Sequence, residues 1–305
     1  MLAGVQAHLG RTSTVALAAL LPTAAVAVPV VYLVYLNGRI RSSTTSRAGR
    51  RSSSRQHGNH QEQQERREGS AASETRAPAD PRSLPGHVRS DDGSQWVVSY
   101  ERVVSKPIPA SSLSRPPTTT TAADDPAAAT GQEEQQQQRP SPLLRAYIRA
   151  AHVAFSWTPQ ALLMRAMIKE PSLKRSFDRD WIDALDFVPG DMVNGVYRAS
   201  HYSKEAGSVS ERSELLIEVP ASYKGPPVKG LLVAAIEPAA ASSTSDEEDE
   251  EAVVFVNETW MWRGVDEPPT LLESPLGGWF HGKLAGWLIL KGLSTVVAGR
   301  KDKAS

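Results

Sequence analysis

Hydrophobic and polar positions alternate with several different periods along the chain, and each period predicts its own element. Residues 15–36, VALAALLPTAAVAVPVVYLVYL, form an apolar run of 22 residues without a charge. Residues 95–113, QWVVSYERVVSKPIPASSL, alternate β-branched or aromatic residues with polar ones and end at two prolines, which predicts a strand. Residues 143–168 repeat apolar positions at helical spacing: Leu144, Ile148, Ala151 and Phe155 form one face, and Leu162, Leu163 and Met167 a second. Thr158-Pro159 divides them into two helices, Thr158 capping the second and Pro159 entering its first turn. A short segment around Phe177, Trp181, Ile182 and Leu185 closes at Pro189-Gly190. Four strands are then expected at 191–202, 213–219, 228–237 and 252–263, separated by turn residues. The run 275–297 predicts one long helix with a broad apolar surface. Gly278, Gly282 and Gly286 allow a second membrane span there, against which His281, Lys283 and Lys291 argue.

The run at 15–36 is long enough, at about 1.5 Å per residue, to cross a hydrocarbon core about 30 Å thick, so it is read as a single transmembrane helix behind a short tail, 1–14. A cleaved signal peptide ending near Ala25-Val26-Ala27, or a mitochondrial presequence, are the alternatives. Arg11 alone precedes the run, whereas Arg39, Arg41, Arg47, Arg50, Arg51 and Arg55 follow it, which places the C-terminal bulk in the cytosol. Residues 37–94 are Arg-, Ser- and Gln-rich with few large apolar side chains and read as a disordered tether. The folded part is then 95–300, with a disordered insertion at 114–142, which carries the QEEQQQQ tract, and an acidic loop at 242–251.

Composition narrows the chemistry. With 34 basic and 34 acidic residues the chain is neutral, and with no cysteine it has no disulfide, thiolate nucleophile or Cys-ligated metal. No G-x-S-x-G elbow, phosphate loop, H-E-x-x-H or kinase signature occurs, so no cofactor and no metal are expected. Basic residues cluster in the tether rather than among strand aromatics, so nucleic-acid binding is not expected either.

The order strand, two helices, antiparallel strands, long C-terminal helix resembles the START-like or polyketide-cyclase (SRPBCC, helix-grip) superfamily. The pieces RAYIRAAHVAFSWTPQALLMRAMI, FVPGDMVNGVYRAS, VVFVNETWMWR and LLESPLGGWFHGKLAGWLIL carry the resemblance over about 95–299. It implies an α+β fold whose curved antiparallel sheet and C-terminal helix enclose an apolar cavity, with a hydrophobic small molecule, a lipid or polyketide-type metabolite, as partner. A cyclase or isomerase, or a protein-docking module, are the competing functions.

Within that expectation the richest segment is 254–263, VFVNETWMWR, where alternation puts Glu258 with Trp260 and Trp262 on one face and Phe255, Asn257 and Thr259 on the other. If the first face lines a cavity, Glu258 is a candidate acid or base in an apolar wall. If it does not, Glu258 is a core carboxylate paired with an arginine such as Arg198. His201 and His281 are the other catalytic candidates. Tyr197, Arg198, Trp260, Trp262, Trp279 and Trp287 are candidate ligand contacts. Asp178, Asp180, Asp183 and Asp186 spread around a helix as a solvated face.

Overall fold

The computed structural model describes residues 34–52, 78–89, 95–114, 139–225, 227–239 and 251–298. The chain divides into two units, 1–43 and 44–305. In the first, residues 34–43 are helical. The apolar run read as a membrane span lies, except for 34–36, outside the described residues. Among the described residues no helix is long and apolar enough to cross a membrane, and this includes the C-terminal helix.

The second unit is α+β. Its strands are β1 (Thr44–Ser52), β2 (Trp96–Ser105), β3 (Ile108–Pro109), β4 (Met192–Val193), β5 (Tyr197–Lys204), β6 (Glu211–Ile217), β7 (Gly230–Pro238) and β8 (Ala252–Gly264). They form one antiparallel sheet in the order β1-β2-β8-β7-β6-β5-β4, with β3 on β8. The second strand, β2, therefore lies between the edge strand β1 and the last strand, β8. Between β3 and β4 run α1 (Pro142–Ser156), α2 (Pro159–Met167), α3 (Pro171–Arg175) and α4 (Arg179–Ala184), and after β8 comes α5 (Pro275–Val296). The predicted helix boundaries are built as their sequence implies. Ser141 accepts from Leu144 N at 3.1 Å and Thr158 from Ala161 N at 3.2 Å, with a proline at the first turn of each helix.

The stretch read as a tether departs from that expectation in two places. Residues 44–52, TTSRAGRRS, have no apolar alternation, yet they pair with β2 along its whole length as the edge strand β1. A backbone ladder needs no side-chain pattern, and exposed arginines on an edge discourage further pairing. Residues 78–89 also pack. They lie on one face of the sheet as a strap, with Arg51 holding Asp80 through two hydrogen bonds of 2.8 and 2.9 Å. Residues 53–77 and 90–94, the insertion at 115–138 and the acidic loop at 242–250 lie outside the described residues.

Both faces of the sheet are covered. On one, Val103, Leu215, Ile236, Val253 and Phe255 pack against α1 and α5. On the other, Val98, Leu231, Val233, Val256, Trp260 and Trp262 pack beneath Leu84 and Val88 of the strap. A strand with both faces covered must be apolar on both, which is why β7 reads GLLVAAIEP rather than alternating.

Candidate functional site

Alternation along β8 yields two faces without saying which is which, and neighbouring strands decide it. Phe255 belongs to the core under the helices, so Asn257 and Thr259 share that side; Val256, Trp260 and hence Glu258 belong to the strap side. The Glu258 carboxylate is fully buried there and is clamped by three donors: Arg102 Nη1, Arg212 Nη2 at 2.9 Å and Trp260 Nε1 at 3.0 Å. Its arginine partners come from β2 and β6. Arg198 instead bonds Glu218 at 2.5 Å. Arg102 also reaches Glu237 at 2.5 Å, and Arg212 reaches Glu214, whose oxygens accept from the strap's Arg82 N and Ser83 N at 2.8 and 2.7 Å. An alternating chain of carboxylates and guanidiniums thus ties four strands to the strap. A buried carboxylate held by two guanidiniums and an indole N–H is a structural anchor.

The helix side holds the open space. A cavity of about 80 Å³ lies between α1, α5, the start of α2 and the sheet. Its walls are mainly apolar, from Ile148, Phe155, Leu215, Leu232, Ala234, Leu284 and Leu288. The polar groups are Tyr147, His152, Gln160, Tyr197, Asn257, Thr259 and His281, and among the described residues no lysine or arginine lines it. Glu258 borders it through its backbone, its side chain turning to the far face.

Each polar group is positioned by a neighbour. Tyr147 donates to Asn257 Oδ1 at 2.9 Å, and burial pushes its phenol pKa up against the small opposing effect of that bond. Tyr147 also sits where Gly292 of α5 has no side chain: a Cβ there would lie 2.3 Å from the ring. His152 bonds Asn194 Oδ1 through Nδ1 at 2.7 Å, and its ring lies 5.9 Å from Phe187 and 5.8 Å from Tyr197. Burial pushes this imidazole down to about 4, the bond to Asn194 opposing only in part, so it is neutral at pH 7. Burial likewise raises the Tyr197 phenol, with Tyr223 adding to it.

The most organised pair joins His281, one of the sequence candidates, to Glu101, which the sequence left unmarked. His281, on the second turn of α5, places Nδ1 2.5 Å from Glu101 Oε2 of β2. Both side chains are largely buried, at 14% and 5% exposure. Glu101 lies directly across from Thr259 in the β2–β8 register, and its other oxygen is 3.5 Å from Ser46 Oγ of β1. Gly282 makes the approach possible, because a Cβ there would stand 2.5 Å from Glu101 Oε1.

Of the sequence candidates, the fold therefore brings Tyr197 and His281 to one cavity. His201 goes elsewhere: a register shift between Ala199 and His201 breaks the alternation, and His201 pairs across from Glu214 on the strap side. Arg198, Trp260 and Trp262 are also on that side. Trp260 is buried and stacks on Tyr100 with ring centroids 5.0 Å apart. Trp279 is exposed, and Trp287 borders a surface groove between α1 and α5 beside Lys291, whose Nζ is 5.5 Å from the ring centroid. Of the aspartates of 178–186, Asp178 pairs with Arg165 and Asp183 with Arg179 at the surface, and Asp186 takes Arg145 at 2.6 Å with Arg139 and Arg149 close by.

No protein-family model, curated protein or solved structure matches this chain.

Proposed function

We propose that this chain is a ligand-binding domain of the START-like, helix-grip kind, which holds a neutral, mainly apolar small molecule between α5 and the sheet. The observation that carries the reading is the cavity itself: apolar walls, convergent polar groups and, among the described residues, no cationic side chain. Buried apolar space with a few fixed polar groups is the usual form of a small-molecule site. The absence of lysine and arginine among the described residues of its walls disfavours a carboxylate or phosphate guest. The strand order, with β2 against β8 and α5 following β8, supports the helix-grip reading.

Size sets the guest. About 80 Å³ is well below the roughly 300 to 1,000 Å³ of typical drug-sized sites, so the closed form accommodates a compact molecule of a few heavy atoms. A lipid or polyketide-type guest requires α5 to lift away from β2 and α1. The apolar run at 15–36 supports a membrane-anchored protein with this domain on the cytosolic side, from which such guests would be collected.

The test is native mass spectrometry with solvent extraction on the full chain, beside a Leu215→Trp variant that fills the cavity. A neutral molecule retained at one per chain by the unaltered protein and absent from the variant supports the reading. Equal retention by both forms, or none by either after exposure to cell extract, refutes it.

A further inference from the structure

The Glu101–His281 pair does more than fix a helix to a sheet. A neutral imidazole carries one proton, and a carboxylate only accepts, so the bond at 2.5 Å requires the proton on Nδ1 and leaves the lone pair on Nε2. Among the described residues Nε2 has no hydrogen-bond partner, and His281 borders the cavity. A buried carboxylate behind an imidazole that borders an apolar pocket is the arrangement of a general base whose charged form is stabilised in advance.

We propose that His281 is a catalytic base for proton transfer on a small, neutral, enolisable ketone, and that Glu101 is its positioning residue. The inference rests on the binding reading above. Nε2 takes a proton from the carbon next to the carbonyl. The electron pair of that C–H bond becomes the enolate C=C bond as the carbonyl π pair moves to oxygen. The proton stays on Nε2 while Glu101 stabilises the imidazolium through Nδ1–H; its return to the opposite face of the carbon inverts that centre, and its replacement on Nε2 by a solvent proton before the return gives exchange. No oxidant, reductant or second substrate is needed. The hydroxyl of Thr259, which lies directly across from Glu101 in the β2–β8 register, has no hydrogen bond among the described residues and is a donor for the enolate oxygen. The other titratable side chains on the walls do not compete for the proton, because burial holds His152, Tyr147 and Tyr197 neutral.

The test uses 2-butanone and the full chain in D2O, following deuterium incorporation by NMR and binding by saturation transfer. Exchange above the buffer rate is expected. It falls by about 10²- to 10⁴-fold in His281→Gln, the range of general-base catalysis, while binding persists. In Glu101→Gln the exchange rate falls, and the midpoint of its pH profile moves to lower pH because the imidazolium loses its counter-charge. Glu101→Asp partly restores both, which a merely structural carboxylate would not do. The ¹⁵N spectrum of His281 should show a protonated Nδ1 and a bare Nε2. Butanone that binds without exchanging overturns the catalytic inference and leaves the binding reading intact. Butanone that does not bind, or the opposite tautomer, also overturns it, and the mass spectrometry then decides the binding reading separately.

Discussion

Acidification should destabilise this domain through His152, by an amount that follows from its burial. The ring is 8% exposed, packed against Phe187 and Tyr197, and held by Asn194, so in the folded chain it protonates only at about 4 against an ordinary 6.5. Between those values the unfolded chain binds a proton that the folded chain refuses, so stability rises with pH across the window and is lost as pH falls through it. At about 1.4 kcal/mol per pH unit the full loss is about 3 kcal/mol, complete near pH 4 and absent above pH 7. Urea unfolding followed by tryptophan fluorescence, at fixed ionic strength from pH 7.5 to 4, measures it. Carboxylates titrate in the same range, so the informative quantity is the difference from His152→Gln. That variant is less stable at pH 7.5 because it loses ring packing, and its curve should be flatter by about 3 kcal/mol over the window. Parallel curves would refute the buried-neutral assignment, and a native protein that gained on the variant as pH fell would mean that His152 is protonated when folded.

Substitutions at three other positions have outcomes set by the packing. Gly292→Ala would raise helix propensity by about 1 kcal/mol in the open, but its Cβ meets the Tyr147 ring at 2.3 Å, so a net loss of about 1 to 3 kcal/mol is expected in thermal or urea unfolding. Glu258→Ala strands Arg102 and Arg212 on the strap side and should cost about 3 to 5 kcal/mol. Glu258→Gln should leave ligand affinity unchanged, read by titration calorimetry, because the side chain does not face the cavity. Thr158→Ala removes the cap of α2 and should lower stability by about 1 kcal/mol by the same unfolding assay.

The order of elements was legible because period and capping are local properties. β8 was anticipated at 252–263 and runs Ala252–Gly264, and α5 was anticipated at 275–297 and runs Pro275–Val296. What was not legible depends on partners. β1 has no hydrophobic pattern because an edge strand is held by its backbone. The face of Glu258 is set by which layer covers it, a tertiary fact that alternation alone does not contain. Strict alternation along β5 would put His201 on the face of Tyr197; the bulge breaks it, and a bulge without glycine leaves little trace in sequence. Glu101 reads as an ordinary polar position in WVVSYERVVS. Only the crossing of α5 over β2, and the missing side chain of Gly282, turn it into the partner of His281.

The central claim is that the ligand space lies under α5 and not beneath the strap. Methyl NMR of the full chain under xenon pressure tests it directly, since xenon enters preformed apolar cavities whatever the natural guest. Selective shifts at Ile148, Leu215, Leu232, Leu284 and Leu288, with Leu84, Val88 and Leu231 unmoved, are the predicted result. Unshifted cavity methyls, or shifts centred on the strap-side methyls, would contradict the account.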